Sequence, residues 1–93
     1  MKEIWKFELE PQTGEQILDM PSGAQILTVQ TQGENICLWA EVDSSEIYLP
    51  KEKRTFIVHF TGVSYTRKCD NYMGTCTVDH FMFHVFERLQ NES

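Results

Sequence analysis

Apolar residues recur at every second position along most of this chain. In the segment Ile4 to Leu9, Trp5, Phe7 and Leu9 share one face while Lys6 and Glu8 share the other. From Asn35 to Asp43 the split is clearer: Ile36, Leu38, Ala40 and Val42 alternate with Cys37, Trp39, Glu41 and Asp43. A period of two belongs to a strand with one face in a core, and no window carries the 3.6-residue period of an amphipathic helix. The pattern predicts further strands over Gln16 to Met20, Gln25 to Gln32, Arg54 to Thr61, Tyr72 to Val78 and His80 to Glu87, with Val63 to Asn71 a loop before the terminal hairpin.

Turn residues separate these runs. Gln12-Thr13-Gly14 follows Pro11, Pro21-Ser22-Gly23 ends the second strand, and Gly33-Glu34 suits a two-residue hairpin with Gly at the first central position. The last hairpin is expected around Asp79, and Gly62 ends the strand before it. Ser44 to Lys53 is polar and broken by Pro50, and is expected to be a loop with a short extended piece at Ile47 to Leu49. The fold class is therefore all-β: a small single-domain antiparallel β-sandwich or partly open barrel of six to seven strands. Its domain spans 1–87, and a polar tail covers 88–93.

Residues opposite the inward faces are themselves apolar in places. Cys37, Trp39, Ile57, His59, Met82, His84 and Phe86 lie on the second face. Contiguous apolar patches of this kind are seldom left wet on a monomer, so either the sheets close over this face or Trp39, Ile57 and Phe86 meet another subunit; the expectation is the second, a dimer or a tetramer built from dimers. Leu38, Val58 and Phe83 are expected in the core.

Composition narrows the functional classes. Ninety-three residues allow one domain, and six Phe, three Tyr and two Trp are enough for one core. A formal charge of -6 repels a phosphate polymer, so binding of DNA or RNA is not expected. Three cysteines without CxxC spacing suggest neither a disulfide framework nor a cysteine zinc site and fit a reducing, cytosolic compartment. No run is long and apolar enough for a membrane span or a signal segment. GxSxG, P-loop, GxGxxG and HExxH motifs are absent, so no enzymatic activity and no cofactor are predicted. His80 and His84 would stand roughly 13 Å apart on one strand, too far to share a metal ion with His59.

Charge is unevenly spread. Residues 1–49 carry nine acids and two bases, whereas residues 51–68 carry Lys51, Lys53, Arg54, Arg67 and Lys68 against Glu52 alone. A basic stretch on an acidic protein suits a compact anion better than a polymer. Lys53, Arg54 and Arg67 are candidates for phosphate contact, Thr61 for a hydroxyl hydrogen bond, and Trp39, Tyr65 and Tyr72 for base stacking, with His59 as a further base contact.

The segments Ile4-Trp5-Lys6-Phe7-Glu8-Leu9, Met20 to Gln32, Cys37-Leu38-Trp39-Ala40-Glu41-Val42-Asp43 and Phe83-His84-Val85-Phe86-Glu87 resemble a family of small bacteriophage proteins. Phe60-Thr61-Gly62 looks like that family's strand-end Gly-Thr-Gly with its first Gly replaced. Part of this group resembles the anti-CBASS nucleotide sponges. That resemblance implies a non-catalytic homo-oligomer acting in the host bacterial cytoplasm, which sequesters a cyclic dinucleotide signal and so serves immune evasion. The competing expectations are a phage interaction module that inhibits a host protein through the acidic face of the first 49 residues, and a minor structural or assembly component of the virion.

Overall fold

The computed structural model describes residues 1–44, 50–68 and 70–89. It is all-β. Seven strands, β1 (Lys2–Leu9), β2 (Gly14–Pro21), β3 (Gln25–Gln32), β4 (Asn35–Asp43), β5 (Lys51–Phe60), β6 (Asp70–Val78) and β7 (Phe81–Arg88), form two antiparallel sheets. One sheet has the order β1-β4-β3 and the other β2-β5-β7-β6. The chain passes between sheets after β1, β2 and β4, while β3/β4 and β6/β7 are hairpins within a sheet. The thinnest extent of the Cα trace is 15 Å, which suits two sheets about 10 Å apart.

The core lies where the inward faces meet. Ile36, Leu38, Ala40 and Val42 on β4 oppose Phe56 and Val58 on β5 and Phe83 and Val85 on β7, all buried. The expected burial of Leu38, Val58 and Phe83 is what the structure shows. Gly33 takes φ 63° at the first central position of the β3/β4 turn, as its spacing requires. In the β6/β7 turn both Asp79 (φ 48°) and His80 (φ 71°) are left-handed, the type I′ geometry whose twist matches the flanking strands.

Several boundaries differ from the sequence expectation. Lys51 to Lys53 extend β5 and pair with Pro21, Met20 and Asp19, so the polar stretch ends earlier than its composition suggests. β2 begins at Gly14 and β7 runs to Arg88, each extended by ladder partners far away in sequence. The extended piece at Ile47 to Leu49 falls outside the described residues. Residues 63–68 form a loop, as expected, though β6 begins at Asp70, two residues before the expected strand. These loop residues cross the outer face of the four-stranded sheet, where Tyr65 and Arg67 pack on side chains of β5 and β7.

The apolar second face is also resolved differently. Trp39 points away from the core on the three-stranded sheet, while Ile57 and Phe86 are cross-strand neighbours on the outer side of the other sheet. They lie on opposite sides of the sandwich and form no common patch. Ile57 and Phe86 are both buried within the chain, and Tyr65 and Tyr72 pack on the Phe86 ring.

Candidate functional site

Antiparallel pairing brings two rows of three side chains together on the outer face of the four-stranded sheet. Ile57 stands opposite Phe86, which pairs in turn with Tyr72; His59 stands opposite His84, which pairs with Thr75. Gly62 then turns the chain, and the segment to Lys68 folds back over these rows. Tyr65 stacks on His59 with ring centroids 3.6 Å apart and planes within 16°. Phe86 meets the edges of His59 and Tyr72, each at 5.5 Å. The result is a hollow of about 310 Å³ with walls of His59, Tyr65, Tyr72, His84 and Phe86 and a rim of Phe60 to Val63.

The returning segment is held at its far end. Asp70 is buried; its carboxylate accepts from the Lys68 amide and from Arg88 Nε, each at 3.4 Å, while its carbonyl accepts from Arg67 Nη2 at 2.9 Å. These bonds place the Arg67 guanidinium 5.0 Å from the centroid of the Phe86 ring, within cation–π range. Arg88 is fixed in turn by Glu15 on β2, at 2.6 Å. A guanidinium thus sits beside an aromatic hollow, with one donor spent on the backbone.

One wall carries a polar chain. Tyr72 Oη is 2.5 Å from Thr75 Oγ1, which is 2.9 Å from His84 Nδ1, and His84 Nε2 is 2.7 Å from Thr61 Oγ1. Thr61 Oγ1 also faces the Met82 carbonyl at 3.4 Å. The chain closes in either direction: from Tyr72 through Thr75 to Nδ1 with Nε2 donating to Thr61, or from Thr61 to Nε2 with Nδ1 donating to Thr75 and Thr75 to Tyr72. Burial lowers the pKa of His59, His84 acts in the same sense, and Asp70 opposes both.

Of the eight residues singled out by sequence, His59, Thr61, Tyr65 and Tyr72 line this hollow and Arg67 stands at its side. The other three lie elsewhere. Trp39 is on the far sheet. Lys53 Nζ pairs with Asp19 at 3.1 Å near the other end of β5. Arg54 lies on the inner side of β5, bound to Glu87 and to the Ala24 carbonyl. His84 and Phe86 belong to the site although charge and stacking arguments passed over them; their alternation with His59 and Ile57 was the available signal. Among the described residues, no three His, Cys, Asp or Glu side chains are close enough to hold a metal ion.

A family model described as Domain of unknown function (DUF7352) matches residues 1–93 of the chain. The chain belongs to this family. The DUF7352 match thus spans both sheets and every residue of the hollow. No curated protein and no solved structure matches the chain.

Proposed function

We propose that this DUF7352 protein is a non-catalytic nucleotide-binding protein of bacteriophage that sequesters cyclic dinucleotide signals in the host cytoplasm. The carrying observation is the aromatic hollow with a guanidinium beside it. A nucleobase offers a flat apolar face to Tyr65, Tyr72 and Phe86, and its polar edge meets the Tyr72–Thr75–His84–Thr61 chain. Arg67 keeps N–H donors for a phosphate oxygen. The hollow stands at the lower end of the ~300–1,000 Å³ typical of small-molecule sites. One nucleotide half of a cyclic ligand fills it, and the other half lies outside its mouth.

Sequestration needs affinity alone, and the two thiols among the described residues fit that reading. Cys37 and Cys76 are buried, and burial pushes both pKa values up, away from the reactive thiolate. The test is a thermal-shift panel of cyclic dinucleotides followed by chromatography of the recovered ligand. A ligand that binds the native state raises the melting temperature, and Tyr65→Ala, which removes one stacking wall worth about 1 to 3 kcal/mol, weakens binding about tenfold or more. No shift with any cyclic dinucleotide, or recovery of a cleaved nucleotide, overturns the reading.

A further inference from the structure

Each sheet ends in two edge strands, and three of the four carry features that discourage pairing with another chain. β2 ends in Pro21, which has no N–H, and self-pairing about its exposed Ile17 would set Glu15 against Asp19. β3 is interrupted by a bulge between Ile26 and Thr28, and β6 by one between Tyr72 and Gly74. β1 has neither. It stays in unbroken register with β4 over all eight residues, and its other side is open among the described residues. Ile4 is 62% and Trp5 40% exposed along it.

The register shows which amides that open side presents. Ser44 N donates to Met1 O, its direct partner in the ladder, so the odd residues of β1 bond to β4. The N–H and C=O groups of Lys2, Ile4, Lys6 and Glu8 therefore point outward. We infer that β1 is a self-pairing edge, on which a second copy of this chain adds its own β1 antiparallel about a two-fold axis at Trp5. That register sets Lys2 opposite Glu8 of the second copy, twice by symmetry, and makes Lys2/Glu8 and Ile4/Lys6 the hydrogen-bonded pairs. A shift of two residues either way sets Lys2 against Lys6, or Lys6 against itself, and like charges directly opposite are unfavourable. The two Trp5 residues meet at the axis as a non-hydrogen-bonded pair, the closer kind, where aromatic partners gain most contact. The Lys residues that would guard a lone edge thus become the matching half of a charge pattern. This interface is independent of the nucleotide reading.

Sedimentation equilibrium and cross-linking test it. The unaltered chain is expected to dimerise, and Ile4→Pro, which removes an outward N–H and no bond to β4, weakens the dimer. Lys2→Glu and Glu8→Lys each weaken it about tenfold, while the double exchange restores it. Trp5→Cys, with Cys69→Ser to leave one added thiol, forms an inter-chain disulfide on mild oxidation, because directly opposed non-bonded positions have Cα atoms about 4.5 Å apart. A chain that is monomeric at all concentrations overturns the inference. So does a dimer indifferent to Ile4→Pro, or a double charge exchange that fails to restore it.

Discussion

Arg54 and Glu87, 33 residues apart, meet as a two-point ion pair: Nε to Oε2 at 2.6 Å and Nη2 to Oε1 at 2.8 Å, with side chains only 12% and 13% exposed. The third arm of the guanidinium donates to the Ala24 carbonyl and so ties β5 to the segment entering β3. Arg54→Met alone strands a carboxylate in a dry site and should cost about 3 to 5 kcal/mol in urea unfolding. Arg54→Met with Glu87→Leu should recover most of that loss, because the cost lies in the unpaired charge. Neither variant is expected to alter nucleotide binding.

Gly74 on β6 and Val29 on β3 bring the two sheets into close contact. A Cβ at Gly74 would lie 3.0 Å from the Val29 Cβ, an atom fixed to the backbone. Gly74→Ala should therefore overpack the contact and cost about 1 to 3 kcal/mol, and Gly74→Val should cost more. Thermal denaturation of the two variants checks the order.

Phe83 faces the core from β7 and packs tilted against Phe60 at 5.5 Å. Phe83→Ala should lose about 3 to 5 kcal/mol, a large share of the ~5–15 kcal/mol by which domains of this size are held folded. A loss below about 1 kcal/mol would contradict the register of the β6/β7 hairpin, since a one-residue slip would put Phe83 on the outer face.

His59 links stability to pH. Its folded-state pKa lies below the ordinary value near 6.5 because it is partly buried and stands beside His84. As pH falls below about 6.5 the unfolded chain takes up this proton before the folded one, so the contribution present at neutral pH is lost on acidification toward the folded-state pKa. The melting temperature should fall from pH 7.5 to 5.5, and His59→Asn should flatten that slope. An unchanged slope would refute this role for His59.

Period-two alternation determined by itself that the chain is all-β, that Ile36, Leu38, Ala40 and Val42 face inward, and that Gly33 and Asp79 lie in hairpin turns. These properties are legible because they are local: backbone pleat and turn sterics act over a few residues. The aromatic and polar residues of the hollow were legible as types. Their meeting was not, because the distance between His59 and Tyr65 depends on where a six-residue loop lies down. Only the tertiary structure decided that Trp39 and Phe86 sit on opposite sides of the sandwich, that Glu87 takes Arg54 for the core, and that His84 stands opposite His59. Strand partners are chosen by the summed free energy of contacts between residues far apart in the chain, and neither period nor charge records which strand a given face will meet.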